Sequence, residues 1–339
     1  MGSNLKTKKT SATNVLVTGA SGFVGLHLLN ELVERGYKVT GVHNKPLSDE
    51  VNCRFGKAVN WVKVDIVSDN FDNIMKNIDV VFHLAAFSSV SEVDTERIKM
   101  QQVNVVGTKK VADASKQAGV KQFVFVSSIA ACESSLALEI NENNGFPVST
   151  YGKTKLAAEG YLESIVTDKF NVTILRPTAL FGEDHLGSVY ELVKIIKKRR
   201  FFIIGNGENR KNFYYIGDFI EVLFAVLDNP KSFGQVFIAA DKPYSLNNIV
   251  SIIVKEVRPQ LLIPKVPMIV GLGLGWFCDV VSTITGIKLP LSKKRVHAMT
   301  ADTVYSNSKL EEIMSVKVKY GLIDGLRRTI RWYQKTGLL

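Results

Sequence analysis

Hydrophobic and polar positions alternate in two ways along the first half of the chain. Short apolar runs rich in β-branched residues, typical of buried strands, occur at NVLVTGA, KVTGV, WVKVD, DVVFHLAA and QFVFVSS. Between most of these runs the apolar residues recur at helical spacing, as Leu26, Leu29 and Leu32 do before Gly36. Strands that alternate with helices in this way predict an α/β fold with a doubly wound parallel sheet.

From about residue 182 the pattern becomes irregular, with scattered glycine and proline. This change predicts a second, smaller domain of mixed α/β structure that receives the substrate. One later apolar run, QVFIAA, predicts a strand that returns to the first sheet. The expected organisation is a disordered tail over 1–11, a first domain over 12–181 with a return around 213–241, and a second domain mainly over 182–339.

Composition and charge narrow the classes of function. The three cysteines are far apart and no Cys/His pair has the spacing of a metal site, so neither a disulfide framework nor a structural metal is expected. The polar start of the chain lacks the apolar stretch of a secretory signal, and we expect a cytoplasmic protein. The net charge is +11, and from Lys265 onward 12 Lys and Arg face 5 Asp and Glu. This surplus favours an anionic partner, whereas no basic-aromatic pattern or recognition helix indicates nucleic acid.

A glycine loop follows the first predicted strand. The sequence VTGASGFVG places Gly19, Gly22 and Gly25 directly after that strand and at the opening of a helix, and Phe23 and Val24 between them are further candidate cofactor contacts. The first glycine permits a tight turn, the second lets the backbone approach a pyrophosphate at the helix N-terminus, and the third lets helix and strand pack closely. In this context the spacing predicts a dinucleotide-binding, Rossmann-like first domain.

The second predicted strand lacks the acidic residue that usually binds the adenosine ribose at this position. It ends in His43, Asn44 and Lys45, where Asn44 can bind a ribose hydroxyl and Lys45 can meet a 2′-phosphate. The choice between NAD and NADP therefore stays open at this point. Asp65, which ends the third strand, is a candidate adenine contact with a role in the turn as the alternative, and the next residue, Ile66, is a further candidate cofactor contact.

A tyrosine and a lysine are the clearest candidates for chemistry. Tyr151 and Lys155, in YGKTK, are four residues apart on a predicted helix and therefore point to the same side. A lysine ammonium below a tyrosine phenol favours the phenolate, which is a usable base near neutral pH. The run QFVFVSS places Ser127 and Ser128 at a strand end, where a hydroxyl can hold a substrate oxygen.

These motifs resemble the extended short-chain dehydrogenase/reductase family and, within it, the sugar epimerase/dehydratase branch. The resemblance covers almost the whole chain, because TGASGFVG, HLAA, NVVGT, VSS, YGKTK and LRPT follow in the order of the family. It implies catalytic roles for Ser128, Tyr151 and Lys155, the last two also touching the cofactor. It further implies that the cofactor contacts residues near the strand ends, namely Leu84, Ala85, Ala86, Asn104 and Pro177.

The second half of the chain narrows the resemblance. The segment GNGENRKNFYYIGD resembles one that anchors a diphosphate in this branch through a basic residue, here Arg210 or Lys211, and an exposed hairpin turn is the alternative. Ser88, Ser127 and Ser128 are the other candidate substrate contacts. The regions GSVYELVKIIKKRRFFIIGNG and LGWFCDVVSTITGIKLPLSKKRV resemble bacterial 4-epimerases of N-acetylglucosamine linked through a diphosphate to undecaprenol.

The resemblance implies a 4-epimerase of an N-acetylhexosamine diphosphate conjugate, lipid-linked or UDP-linked, in surface polysaccharide biosynthesis. In such an enzyme Tyr151 takes the C4 hydroxyl proton while hydride passes to the bound cofactor and then returns to the other face of the 4-keto sugar. Because the cofactor ends unchanged, we expect NAD, with NADP as the alternative. Three other hypotheses stay open: an NADPH-dependent 4-keto-sugar reductase, a 3β-hydroxysteroid-type dehydrogenase and a non-catalytic dinucleotide sensor. A homodimer is also expected.

The apolar segment GLGLGWFCDVV is unusual in its three glycines. Its uncharged run ends before Asp279 and is shorter than the ~18 to 20 residues of a membrane span. A basic group follows it, formed by Lys288, Lys293, Lys294 and Arg295. With Trp276 and Phe277 as anchors, we expect residues 268–295 to make peripheral contact with the anionic inner face of the membrane, and a buried core helix is the alternative.

Overall fold

The computed structural model of the chain describes residues 13–89, 93–134, 137–285 and 292–339, apart from the side chains of Lys294, Arg295 and Ala298. The tail predicted over 1–11 and the basic residue Lys288 lie outside the described residues. The strands are β1 (Asn14–Thr18), β2 (Lys38–His43), β3 (Val59–Lys63), β4 (Val80–His83), β5 (Gln122–Val126), β6 (Asn171–Pro177), β7 (Ala179–Phe181), β8 (Ile203–Ile204), β9 (Arg210–Lys211), β10 (Phe213–Tyr215), β11 (Val236–Ala239), β12 (Tyr244–Ser245) and β13 (Lys265–Val266). The helices are α1 (Phe23–Glu34), α2 (Asp49–Phe55), α3 (Asp94–Gln101), α4 (Thr108–Gln117), α5 (Thr150–Ser164), α6 (Ser188–Lys197), α7 (Ile216–Val226), α8 (Leu246–Val257), α9 (Met268–Thr285), α10 (Lys293–Thr300), α11 (Ser308–Met314) and α12 (Gly321–Lys335).

Seven parallel strands form the central sheet, in the order β11-β6-β5-β4-β1-β2-β3. Alternate residues of each strand enter different apolar cores, as expected for extended backbone. In β1, Val15 and Val17 belong to the core shared with α1 and α7, whereas Leu16 belongs to the core shared with α4 and α5. Helices therefore cover both faces of the sheet, and the predicted doubly wound parallel α/β fold is confirmed.

The strand order creates a crevice at the carboxyl end of β1. β1 lies between β2 and β4, so the chain builds the sheet outward in one direction from β1 and then in the other. Ligands of open α/β sheets bind at such a reversal, outside the carboxyl ends of the strands. The loops after β1 and β4 meet there, because a Cβ on Gly19 would lie 2.8 Å from the Ala85 nitrogen.

The second half of the chain returns to the sheet before it forms separate, smaller elements. β11 pairs with β6 at the edge of the sheet, and α7 shares the core of α1. Short strands form three further pairs within the described residues, β7 with β10, β8 with β13 and β9 with β12. These pairs and the later helices make up the smaller mixed α/β part of the fold. The domain limits at 12–181 and 182–339 stay a prediction.

α9 contains the glycine-rich segment, and it is longer than the sequence indicated. It continues through Asp279 to Thr285, so its 18 residues, with a mean hydropathy of 1.6, are long and apolar enough to cross a membrane by length and composition. The expectation that this apolar segment is too short to span a membrane is therefore corrected. Because 11% of the helix is buried, the alternative of a buried core helix is wrong. A Cβ on Gly271 would meet Ile204 and one on Gly275 would meet the backbone of Lys293, so these two glycines attach the helix to the fold.

Candidate active site

Two glycines of the loop after β1 occupy positions that a side chain would block. Gly19 has a φ of +66°, which favours glycine, and its Cβ would lie 2.8 Å from the Ala85 nitrogen. A Cβ on Gly25 would collide with the carbonyl oxygen of Gly19, so α1 packs directly on the loop. In the described part of the chain no side chain caps α1, which begins at Phe23 after Gly22. Its first N–H groups and the positive end of its dipole therefore remain available, which fits a pyrophosphate.

The buried His83 at the end of β4 connects this loop to the helices behind the sheet. Its ring nitrogens lie 2.8 Å from the Thr18 hydroxyl and 2.9 Å from the Thr108 hydroxyl. Burial lowers the pKa of His83 to about 3, so the ring is neutral. The Thr18 hydroxyl oxygen also accepts from the Ala85 nitrogen at 3.2 Å. The expected cofactor wall at 84–86 is thus held against the end of β1, and its contact with a cofactor stays a prediction.

The expected ribose contacts lie at the end of β2. Asn44 and Lys45 are exposed, and the Nδ1 atom of His43 lies 2.7 Å from the Lys45 carbonyl oxygen. Asp65 lies beyond the end of β3, and its Oδ1 atom accepts from a backbone N–H two residues further on at 2.8 Å. Asp65 therefore has the turn role that was its alternative, and Ile66 is buried. Cofactor contacts by these residues stay a prediction.

α5 places three ionisable side chains on one face. Tyr151, Lys155 and Glu159 follow each other at four-residue spacing in this helix. The helix begins after Ser149, whose hydroxyl oxygen accepts from the Gly152 nitrogen at 3.1 Å. A Cβ on Gly152 would collide with the helical turn that follows β5, so glycine here lets α5 lie against that turn. This contact places Tyr151 beside the end of β5.

The Ser128 hydroxyl lies beside the Tyr151 phenol at this position and acts on its pKa. The Ser128 hydroxyl oxygen accepts from the Ala130 nitrogen at 3.1 Å, so its proton can be directed toward the Tyr151 phenol oxygen. Burial raises the pKa of Tyr151 to about 12, and the hydrogen bond from Ser128 opposes the rise. The structure therefore brings together two hydroxyl groups that the sequence singled out.

Lys155 is placed differently from the expectation. Its Nζ atom donates to the Val126 carbonyl oxygen at 2.8 Å and lies 4.4 Å from the centre of the Phe125 ring. Burial lowers the pKa of Lys155 to about 7, and the carboxylate of Glu159 opposes this decrease. The expectation that the Lys155 ammonium lies below the Tyr151 phenol is therefore corrected. The lysine is bound to the strand end, and burial dominates the pKa of Tyr151.

The expectation that Ser127 contacts the substrate is corrected. Its buried hydroxyl donates to the Glu159 carboxylate. Consecutive residues of extended backbone point to opposite sides, so only one of the two serines can face Tyr151. Glu159 also binds the guanidinium of Arg176 with nitrogen–oxygen distances of 2.6 to 3.2 Å. Both side chains are nearly inaccessible, at 1% and 7% exposure. Sequence reasoning missed this buried group, although Glu159 continues the Tyr151–Lys155 spacing by one turn.

Asn104 organises the loop after β4. It lies in a π-helical segment, Gln102–Gly107, of the kind often found at functional sites. Its side chain accepts from the Phe87 nitrogen at 2.8 Å and donates to the Phe87 carbonyl at 2.9 Å and to the Thr154 hydroxyl at 3.0 Å. Because both amide hydrogens are used, Asn104 fixes this loop to α5, and direct contact with a cofactor stays a prediction. Ser88, the next residue of the loop, is exposed.

The two candidate diphosphate anchors have different surroundings. Arg210 is half exposed and forms an ion pair of 3.1 Å with Asp302. Lys211 is partly buried, its Nζ atom donates to the Thr303 hydroxyl at 3.1 Å, and burial lowers its pKa. Arg210 thus binds a carboxylate and Lys211 a hydroxyl, and contact of either residue with a diphosphate stays a prediction. Pro177, at the end of β6, is buried.

Three comparisons place this site among known proteins. Residues 15–240 match the NAD dependent epimerase/dehydratase family. The N-acetyl-alpha-D-glucosaminyl-diphospho-ditrans,octacis-undecaprenol 4-epimerase of Escherichia coli O157:H7 is 30% identical over 94% of this chain and 95% of its own length. The UDP-glucose 4-epimerase of Vibrio cholerae is 28% identical over 67% of this chain and 70% of its own. The structure of UDP-glucuronic acid 4-epimerase from Bacillus cereus in complex with NAD shares the fold, with a TM-score of 0.75 and 20% identity over 96% of this chain and 99% of that one.

These comparisons confirm the family that the motifs predicted, and with it an enzyme that uses NAD. The hypothesis of a non-catalytic dinucleotide sensor therefore loses its support. The family match covers β1 to β11, which includes the glycine loop, Ser128, Tyr151 and Lys155. By that match and by 30% identity along nearly its whole length, the chain belongs to the NAD dependent epimerase/dehydratase family.

Proposed function

We propose that the protein is a 4-epimerase of an N-acetylhexosamine diphosphate conjugate, polyprenyl-linked or UDP-linked, in surface polysaccharide biosynthesis. The observation that carries this proposal is the placement of the Ser128 hydroxyl beside the Tyr151 phenol, at the end of a strand of the sheet that also carries the glycine loop. The pair occurs in a chain that is 30% identical, over 94% of its length, to a 4-epimerase of that class. The UDP-glucose 4-epimerase among its relatives supports the same reaction type.

The residues around the crevice fit NAD. The loop from Gly19 to Gly25 and the uncapped start of α1 would hold the pyrophosphate, because they offer N–H groups and no obstructing side chain. The loop at 84–86 and Pro177 would border the nicotinamide end, and the exposed Asn44 would meet the ribose. When bound, NAD supplies a reversible acceptor for the C4 hydride.

Tyr151 exchanges the proton of the C4 hydroxyl in this proposal, and Ser128 holds the same oxygen. With a pKa of about 12 the phenol is protonated at neutral pH, so its base form needs a nearby positive charge. Lys155 lies one helical turn away and has a pKa of about 7, so a large part of it is charged at neutral pH. In this proposal the charge of the Lys155 ammonium lowers the pKa of Tyr151 for proton abstraction.

The surface of α9 supports a lipid carrier over a nucleotide. A polyprenyl tail keeps its sugar at a membrane, so an enzyme acting on it must work at that membrane. Trp276 and Phe277 in α9 are 60% and 59% exposed, and side chains of this kind favour membrane interfaces. The polyprenyl-linked sugar is therefore the preferred substrate of this proposal, and the protein acts peripherally at the inner face of the membrane.

The test gives protein loaded with NAD two substrates side by side, UDP-N-acetylglucosamine and undecaprenyl-diphosphate N-acetylglucosamine. Formation of the galacto epimer is measured by chromatography of the released sugar. We expect conversion of the lipid-linked sugar without net formation of NADH, and no conversion by Tyr151→Phe, which should still bind NAD. Absence of epimer from both substrates would overturn the proposal. Stoichiometric consumption of NADPH with a 4-keto sugar would also overturn it, in favour of the reductase.

A further inference from the structure

α9 exposes an apolar face along its whole length. The strongly exposed apolar side chains of the helix are Ile269, Val270, Leu274, Trp276, Phe277 and Ile284. Ile269 is 84% exposed near one end and Ile284 is 77% exposed near the other. At the helical rise per residue the face is roughly 27 Å long. An apolar surface of this extent on a soluble chain marks an interaction site.

The polar groups of α9 are turned away from this face or satisfied within the helix. Asp279 is the one charged residue of α9, and its carboxylate accepts from the Lys293 nitrogen at 3.0 Å, at the start of α10. The hydroxyls of Thr283 and Thr285 donate to carbonyl oxygens one turn back, at 2.8 and 2.7 Å. The exposed face therefore carries no charge and few free hydrogen-bonding groups, which suits an apolar environment.

The attachment of α9 shows that the helix lies along the protein surface. Near its start, Gly271 packs against Ile204 of β8, and in its middle Gly275 packs against the backbone of Lys293. A helix that crossed a membrane in this fold would have to give up both contacts and the bond of Asp279 to α10. The geometry is that of a helix lying in the plane of an interface with one side against the protein.

A basic group flanks the start of α9. It consists of Lys198, Arg199, Arg200 and Arg258 and is called the basic flank below. The first three are exposed at the end of α6, just before β8, and β8 pairs with β13, just before α9. Arg258 lines a groove with Arg199 and with Leu262, which is 89% exposed. Within the described residues, no carboxylate forms an ion pair with the basic flank.

We propose that α9 and the basic flank together dock the protein on an anionic lipid bilayer. The uncharged face of α9 enters the boundary between headgroups and acyl chains, and the basic flank lies on the anionic headgroups. An anionic bilayer is complementary to both parts of the surface, the apolar face of α9 and the basic flank. A second copy of the chain on the same face would cover the apolar residues but would bring two unpaired basic flanks to one interface, where like charges repel.

Docking would also place the candidate diphosphate anchors near the membrane, a consequence that rests on the proposed function. α10 follows α9 and ends just before Asp302 and Thr303. Asp302 binds Arg210, and Thr303 accepts a hydrogen bond from Lys211. A diphosphate at the end of a membrane-embedded polyprenyl chain would therefore meet these residues beside the surface that docks.

The docking is tested by co-sedimentation with vesicles of phosphatidylglycerol and phosphatidylcholine, and with vesicles of phosphatidylcholine alone, at low and high salt. We expect the wild type to bind the anionic vesicles, more weakly at high salt, and to bind the neutral vesicles less. Trp276→Ser/Phe277→Ser and Arg199→Glu/Arg200→Glu should each lower binding by about tenfold or more, since the first removes two apolar anchors and the second removes two basic contacts, which together contribute at least that factor.

The matched control is Leu138→Ser/Ile323→Ser, which removes exposed apolar side chains elsewhere on the chain, and it should bind as the wild type does. Melting temperature and NAD affinity verify that every variant is folded. Equal sedimentation of all four proteins, or of none, overturns the proposal. A monomer–dimer shift caused by Trp276→Ser/Phe277→Ser without vesicles assigns the face to a second copy and also overturns it. The vesicles hold no sugar, so failure of docking and failure of the epimerase assay are separate results.

Discussion

The charged form of Lys155 is disfavoured inside the protein, so its replacement by an apolar residue should stabilise the fold while removing activity. The side chain is 2% exposed, packs over the Phe125 ring and donates one hydrogen bond, to the Val126 carbonyl oxygen. Methionine is close to lysine in length, is uncharged and adapts well to irregular space. Lys155→Met therefore tests the burial of the charge with little change in packing.

The size of the effect follows from the pKa of Lys155. Burial lowers it from 10.5 to about 7, and a difference of this size corresponds to about 5 kcal/mol against the charged form. The variant leaves the Val126 carbonyl oxygen without its partner, which costs about 1 to 3 kcal/mol. We therefore expect the free energy of unfolding of Lys155→Met to exceed that of the wild type by roughly 2 to 4 kcal/mol below pH 7.

The direction of the pH dependence also follows. Between about pH 7 and 10.5 the unfolded chain holds the Lys155 proton and the folded chain does not, so the stability of the wild type rises with pH in this window. The destabilisation by the lysine is complete below about pH 7 and disappears toward pH 10.5. The advantage of Lys155→Met should therefore be largest at neutral and lower pH and should vanish under alkaline conditions.

Denaturant unfolding followed by circular dichroism, at neutral and at alkaline pH, measures this difference, and the epimerase assay measures activity on the same samples. Lys153→Met, which changes an exposed lysine on the same helix, is the control and should shift stability by less than about 0.5 kcal/mol. No gain in Lys155→Met, or a gain that persists unchanged at alkaline pH, would refute the reasoning from burial.

Three further variants test other parts of the site. Tyr151→Phe should abolish epimerisation and leave the melting temperature and NAD affinity unchanged, because only the phenol oxygen is lost; residual turnover near the wild-type rate would remove its proton-transfer role. Gly19→Ala should weaken NAD binding by at least about tenfold, as measured by titration. A Cβ at this position would lie 2.8 Å from the Ala85 nitrogen, and the φ of +66° favours glycine. Unchanged affinity would contradict this prediction. Glu159→Gln should lower the free energy of unfolding by about 3 kcal/mol, because Arg176 keeps a buried charge without its counter-ion; a loss below about 1 kcal/mol would show that the pair contributes little.

The architecture of the sheet could be predicted from the sequence because it depends on local periodicity. Runs such as Val15-Leu16-Val17 are continuously apolar, as is typical of strands buried on both faces, and the structure places Val15 and Leu16 in different cores. The length of α9 could not be predicted in the same way. Asp279 ends the uncharged run in the sequence, but its carboxylate turns inward to the backbone of α10, a contact that depends on the tertiary fold.

In the candidate site, too, local spacing could be predicted from the sequence and tertiary contacts could not. That Tyr151 and Lys155 share one face follows from helical spacing alone, and the structure shows them on α5. Which groups they bind does not follow from spacing, because the partners belong to other elements. Ser127 and Ser128 read alike in the sequence, yet one hydroxyl points to Glu159 in the interior and the other to Tyr151.

α5 presents a phenol, an amine and a carboxylate at successive turns, and each contacts the end of a central strand. Tyr151 contacts Ser128 after β5, Lys155 contacts Val126 in β5, and Glu159 contacts Arg176 in β6. A helix selected for stability alone would carry apolar residues at these inward positions, because burial of an amine is unfavourable and a buried ion pair adds little. A destabilising group is retained where function needs it. The buried lysine is therefore the most informative single residue of the site, since burial disfavours its charge and the proton transfer that we propose at Tyr151 uses that charge.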